Sequence, residues 1–499
     1  ILTTFFVSMT TSCPPNSTIN SNLPDPTWLP PNFCANVYFS LLYKPRGLHI
    51  DRVTNEILLV DRDTPTGSKV LRLDSSTEDA SKITATVVAE GGDDYLNHGI
   101  ELHGGYLYAS SPTTVYRWSY TAGQTNASID RQEVVISMNR ENKDDLGAPG
   151  GHRTRTLAID EEGRYLYVSI GSAGNVDNDS FRSRIRRFDI SAWDGITPIE
   201  FLDGEVFADG LRNEVGLAFD SFGKLWGVEN SADNLKRSDL GGDIHNENPA
   251  EELNDFPEEK AGQHWGYPYC WTEFSLPEQD GGMGAGTAWA WPSFMNDGTH
   301  TDEWCRENTN PVSVAMQAHS APLGITFYDW TEQTEGDSSC KDGFPQVMDK
   351  YAFVAYHGSW NRDIPTGYKV VYIPFDAEGN PTGDPVDLFR HDSSSAKWPS
   401  GIRPVDVQFD RCGRLFVTDD GSGKIFMITY QGNQSDTLEP TASPSASPSL
   451  LGSTSPSAAL CCSPGPSVSS TSAAFDSGST FHIIWQVITP LLLWFVSRK

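Results

Sequence analysis

The sequence predicts an all-β protein, a six-bladed β-propeller with long loop insertions followed by a disordered Ser/Pro-rich stalk. Three observations carry that expectation. One phrase recurs six times between residues 47 and 417: a small residue, an apolar pair, an aspartate-bearing turn, then an alternating apolar strand. Copies three, four and six carry Asp-x-x-Gly at that turn, the chemistry of a tight hairpin. At 499 residues the chain also exceeds the size at which one compact core stops growing, so it is multidomain or radially repetitive, and the repeats favour the second.

Taken in order, copy one runs over 47–51 into the strand 56–60, and copy two over 99–102 into 106–109. Copy three runs over 156–160 into 165–168, and copy four over 216–220 into 224–228. Copy five, 324–327 into 351–354, carries an insertion, and copy six runs over 406–410 into 414–417. Outer strands over 184–190 and 424–429 complete four-stranded blades. The largest insertion, about 239–321, holds His264-Trp265-Gly266-Tyr267-Pro268-Tyr269 and is expected to form a lid or site wall. A seven-bladed ring would need a blade hidden in that insertion, and a β-sandwich would not explain six copies of one phrase.

The flanks differ in composition. Residues 1–12 read as a signal-peptide remnant, 13–35 as an N-terminal arm and 36–430 as the propeller. A Ser/Thr/Pro-rich linker over 431–480 cannot bury enough apolar surface to fold. The hydrophobic tail over 481–499 reads as a lipid-anchor (GPI) signal or a short transmembrane segment. With sequons at Asn16, Asn126, Asn178 and Asn433, this predicts a secreted glycoprotein tethered to the cell surface. The eight cysteines read as structural: Cys13 with Cys34 could staple the arm, and Cys270, Cys305, Cys340 and Cys412 could form two further bridges of unassigned connectivity. With 36 Lys and Arg against 66 Asp and Glu, a net charge of −30 excludes nucleic acid as a partner and leaves membrane contact to the tail.

Propellers bind ligands where the innermost strands and the loops before them converge on the axis. Arg or His precedes all six copies: Arg46, His98, His152 with Arg153 and Arg155, Arg212 beside Asn213, His319 before copy five, and Arg403. In an acidic protein this cluster suits a small polycarboxylate or phosphate, or else each arginine pairs with an aspartate of a neighbouring blade. His152 is a candidate general base with a pKa expected near the working pH, or a neutral imidazole bonded to a backbone carbonyl. Ser231, Ala232 and Asp233, within an oxygen-rich run after strand four, are candidate ligands for a hard cation such as Ca²⁺. Asp177-Asn178-Asp179 lacks the later residues of an EF-hand and is expected to be a solvated loop.

The run Gly210-Leu211-Arg212-Asn213-Glu214-Val215-Gly216-Leu217-Ala218-Phe219-Asp220, with Glu229-Asn230-Ser231, His152, the His264–Tyr269 motif and Arg403-Pro404-Val405-Asp406, resembles the pyrroloquinoline quinone (PQQ) dependent sugar dehydrogenases. The similarity is greatest to their fungal pyranose and sorbosone dehydrogenase branch. It implies a quinone over the tunnel mouth with Ca²⁺, His152 as catalytic base, and Arg212, Asn213 and Arg403 as cofactor contacts. His357, Trp360, Asn361 and Arg362 match a further cofactor contact, while Arg46 and His98 are inferred from their repeat position. The implied partners are a sugar and an external electron acceptor, such as a cytochrome domain or secreted redox enzyme. Two other functions stay open: a Ca²⁺-dependent lactonase and a non-catalytic, glycan-binding surface propeller.

Overall fold

The structure, a computed structural model, describes residues 23–433 apart from 52, 75–81, 93, 139–150, 180, 331–339, 341 and 394–395. Six sheets surround one axis, antiparallel except for a short parallel strand at the outer edge of two of them, and each begins with a copy of the repeat phrase as its innermost strand. The innermost strands are Pro45–Ile50, Ile100–His103, Leu157–Ile159, Glu214–Phe219, Pro322–Phe327 and Pro404–Phe409. These are blades one to six.

The small residue of the phrase has a steric cause. A Cβ on Gly47 would lie 1.9 Å from the His98 carbonyl oxygen, and one on Gly99 would lie 2.3 Å from that of Arg155, so neighbouring inner strands touch backbone to backbone. The aspartate is equally local. Asp160, Asp220 and Asp410 each accept two backbone N–H bonds through Oδ1, closing the hairpin turns at Gly163, Gly223 and Gly413. Alternation then sends side chains to both faces of each blade, and a buried apolar cluster fills each of the six junctions between neighbours. Leu58, Val60 and Val70 of blade one, for example, pack on Leu107, Ala109 and Trp118 of blade two.

Two sequence boundaries move. Phe33–Phe39 pairs with Lys424–Tyr430 as the outer strand of blade six, and Thr27–Trp28 pairs with Val386–His391 of blade five. The ring is therefore closed by a strand whose first three residues, 33–35, were assigned from sequence to the arm, and 424–429 is a third strand rather than an outer one. Likewise 239–321 is not all insertion: Glu251–Phe256 and Val314–Met316 are the third and fourth strands of blade four. The rest carries the hairpin Cys270–Thr272 with Ala288–Ala290 and the helix Asp302–Asn308.

The disulfides are Cys270–Cys305 and Cys340–Cys412, and Cys34 is also disulfide-bonded. Asp177 and Asp179 are less solvated than expected, because buried Arg182 pairs with both, Nε lying 2.6 Å from Asp177 Oδ2. Among the described residues no helix is long and apolar enough to cross a membrane. The signal remnant, Asn16, Cys13, nearly all of the linker and the 481–499 tail lie outside the described residues.

Candidate active site

The loops entering blades three to six converge on a cavity of about 400 Å³ at the axis. His152, Arg212, Asn230, Ser231, Asp233, His357, Trp360, Asn361 and Arg403 line it, which assembles most of the residues expected from sequence.

His152 stands just before the inner strand of blade three, with its N–H donating to the Ser172 carbonyl. Its Nδ1 lies 3.0 Å from both the carbonyl and the Oγ of Ser172, and Arg155 Nη1 donates to the His152 carbonyl at 3.0 Å. With Nδ1 held by that carbonyl, the proton sits on Nδ1 and the Nε2 lone pair is left to the cavity. Burial, reinforced by the Arg212 charge, pulls the imidazole down to about 3. The expectation of a pKa near working pH is thereby corrected: His152 stays neutral because a protonated ring would be both desolvated and beside a guanidinium.

Arg212 has all five N–H donors engaged inside the protein. Nε and Nη2 reach the carbonyl and side-chain oxygens of Asn175 at 3.3 and 3.2 Å, Nη1 the carbonyls of Asn230 and Ser231 at 3.0 and 2.6 Å, and Nη2 also Asp233 at 3.1 Å. It clamps two loops rather than offering a fork to a ligand, and its aspartate, Asp233, follows the second strand of its own blade rather than coming from a neighbouring one. Asn213 supports from behind, donating to Asn230 Oδ1 at 3.3 Å.

Three further expectations are corrected. Arg46 pairs with Asp420 of blade six at 2.8 Å, and His98 is buried near it; neither lines the cavity. Burial, and then the Arg46 charge, lowers His98 well below the usual imidazole range. Arg362 turns to Glu247 and the Ala318 carbonyl, so it straps the 357–367 loop to the blade-four excursion instead of facing the cavity. Arg46 and His98 were inferred from repeat position and Arg362 from the family resemblance; nearby carboxylates and a carbonyl hold the two arginines, and His98 is enclosed in the interior.

Arg403 behaves differently. Its Nε and Nη2 donate to the carbonyls of His357 and Gly358 at 3.1 and 3.2 Å, while it makes no ion pair among the described residues and lines the cavity. His357 Nε2 lies 2.8 Å from Asp420 Oδ1, and burial lowers its pKa to about 4 despite that partner. Burial opposes ionisation of Asp420, but His357 and Arg46 hold it well below the ordinary carboxylate range. Trp360, 75% exposed, forms the rim. Asn361 Nδ2 donates to Asp233 Oδ1 at 2.7 Å, leaving its buried Oδ1 without a hydrogen-bond partner.

The proposed cation ligands are partly engaged. Asp233 meets Arg212 through Oδ2, and Asn361 and His319 through Oδ1. Among the described residues no three His, Cys, Asp or Glu side chains converge as a metal cage. Ca²⁺ takes six to eight oxygens. What remains at 231–233 is the second lone pair of the Ser231 carbonyl and the Asp233 carboxylate shared with Arg212; Ala232 is buried.

Sequence reasoning missed two groups. Glu251, at the start of blade four's third strand, accepts from the N–H groups of Ser231 and Ala321 at 2.8 and 3.0 Å, and burial lifts it to about 7. It was hidden because its strand lay inside a presumed insertion. Asn175, which ties Arg212 to Asp233, carries no local signal at all.

Comparison with known proteins adds a relationship. A family model described as TrAA12-like matches residues 28–431. The chain is 31% identical over 423 residues, 78% of itself, to a pyrroloquinoline quinone-dependent pyranose dehydrogenase of Coprinopsis cinerea, and spans about half (52%) of that relative's length. It is 30% identical to a pyrroloquinoline quinone-dependent sugar dehydrogenase of Hypocrea jecorina, with 78% of this chain and 85% of the relative covered. The holo form of the C. cinerea pyranose dehydrogenase PQQ domain superposes with a TM-score of 0.67 at 28% identity, covering 82% of this chain and 98% of that one.

Proposed function

The chain belongs to the TrAA12-like family, and from that membership together with the cavity we propose a pyrroloquinoline quinone-dependent sugar dehydrogenase, passing its electrons to an external acceptor. The observation that carries the proposal is a neutral His152 whose Nε2 is left to a cavity that also holds Arg403, a cation without a carboxylate partner among the described residues. The donor set fits a planar polycarboxylate. Arg403 retains unused N–H donors, and about 400 Å³ lies within the usual range for a cofactor pocket. When bound, the quinone supplies a two-electron acceptor, so that an alcohol can be oxidised to a carbonyl.

The chain's own residues supply the rest. His152 Nε2 accepts the proton of the sugar hydroxyl, while Ser172 holds Nδ1 and fixes the tautomer. The imidazolium formed is disfavoured by Arg212 and burial, so it returns its proton readily once the sugar leaves. Arg212, through Asn175 and Asp233, keeps both loops of the cavity wall in register. Trp360 offers an exposed indole face at the rim for the apolar side of a pyranose.

Calcium enters as a dependent partner in this reading. Because residues 231–233 leave it few free oxygens, most of its shell would come from cofactor carboxylates and water, and its affinity should depend on cofactor. We take the protein to act outside the cell, a reading supported by the exposed sequon residues Asn126, Asn178 and Asn433 and by the disulfides.

The test is to titrate the protein with pyrroloquinoline quinone, with and without calcium, and then add aldoses with an artificial acceptor. We expect stoichiometric binding, calcium uptake only with cofactor present, and sugar-dependent reduction. His152→Ala should keep binding and lose about 10²- to 10⁴-fold in turnover. No binding at micromolar cofactor would sink the proposal.

A further inference from the structure

Arg155 is wholly buried and does not line the cavity, so it reaches neither sugar nor cofactor there. It also meets no carboxylate among the described residues. Arg182, close enough for its charge to act on Arg155, by contrast pairs with Asp177 and Asp179. Burial, with the Arg182 charge adding to it, pulls the Arg155 guanidinium down to about 9. A buried charge without a counter-charge costs more than an apolar side chain of the same bulk. Filling the space between blades two and three therefore does not account for an arginine.

What only a guanidinium supplies is a planar fork of donors, and this fork is spent mainly on one turn. Nη1 donates to the carbonyls of His152 and Thr154 at 3.0 and 2.8 Å, and Nε to the Pro112 carbonyl of blade two at 3.1 Å. Asn97 Nδ2 takes the carbonyl between them, that of Arg153, at 3.0 Å. Residues 152–154 belong to no strand, so side chains hold all three of their carbonyls, two of them through Arg155.

The imidazole has little slack. A Cβ on Gly171 would lie 2.7 Å from the His152 Cβ, so the base of the side chain is seated directly on the segment that carries Ser172. A shift of the turn would move Nδ1 off its two contacts with Ser172.

We propose that Arg155 is a positioning residue, holding the 152–154 turn against blade two so that His152 keeps Nδ1 on Ser172 and leaves Nε2 to the cavity. This role rests on reading His152 as the base, while its first test needs no quinone.

The experiment uses the full chain labelled with ¹⁵N-histidine, free of cofactor and near neutral pH. The His152 ring nitrogens, identified by their loss in His152→Ala, should report a single Nδ1–H tautomer; a mixture in the unaltered chain would overturn the proposal. Arg155→Met, which keeps the bulk and removes the donors, should mix the two tautomers. In the cofactor-loaded enzyme it should lower kcat about 10- to 100-fold and leave KM within about twofold. Arg155→Lys keeps the charge but offers one nitrogen in place of the fork, and should mix the tautomers less and lower kcat about tenfold. An intact tautomer or an unchanged kcat in folded Arg155→Met would leave Arg155 no positioning role. Should Arg155→Met fail to fold, Arg155→Lys decides on the same two readings, and unaltered values there would equally overturn the proposal. Absence of quinone binding would sink the dehydrogenase reading and leave the tautomer result standing.

Discussion

At the scale of the residue, His152 and Glu251 carry opposite shifts on the same cavity wall. His152 is lowered from 6.5 to about 3, so the folded chain binds fewer protons there than the unfolded chain; its contribution to stability is complete above 6.5 and is lost as pH falls toward 3. Glu251 is raised from 4.5 to about 7, so its contribution is complete below 4.5 and is lost as pH rises through 7. We expect sugar oxidation to show no acid limb near 6.5, His152 remaining an available base down to about pH 3. A limb near 7 that vanishes in Glu251→Gln belongs to Glu251; one near 6.5 that survives there would contradict a neutral, buried His152. The basic character of the site was legible in sequence, because Arg and His recur before the repeat phrase. Which cations stay available was not. Arg46, Arg212 and Arg362 are each matched by a carboxylate brought from 21 to 374 residues away, and Arg403 alone of these four meets no carboxylate among the described residues.

At the scale of the element, the repeat phrase is a packing rule. Gly47 has no room for a methyl group against the His98 carbonyl, a backbone atom that cannot swing aside. Gly47→Ala should therefore force blades one and two apart and lower stability by about 1–3 kcal/mol, read as a fall in chemical-denaturation midpoint. An unchanged midpoint would mean that the inner strands are more loosely seated than this contact implies. Hairpins of the Asp-x-x-Gly type were legible because turn and cap lie within five residues. Strand Glu251–Phe256 was not, since Glu251-Glu252-Leu253-Asn254-Asp255 is too polar to read as buried β-structure. It is buried because blade four places its row of glutamates against Glu229 and Glu214 in register.

At the scale of the whole molecule, closure decides stability. The strand Phe33–Phe39 completes blade six from the N-terminal side, and Phe33 packs against Phe344 and Tyr430. Deleting residues 1–39 should unpair the last blade and replace one cooperative thermal transition by an early partial one; a single unchanged transition would show that the ring closes without it. Six blades, their hairpins and the axial location of the site followed from the sequence alone, because each rests on contacts between residues close along the chain and repeated six times. The closing strand and the pairing of Arg46 with Asp420 were decided by the tertiary structure. Each joins segments far apart in sequence, and nothing in local periodicity records which distant partner reaches a side chain first.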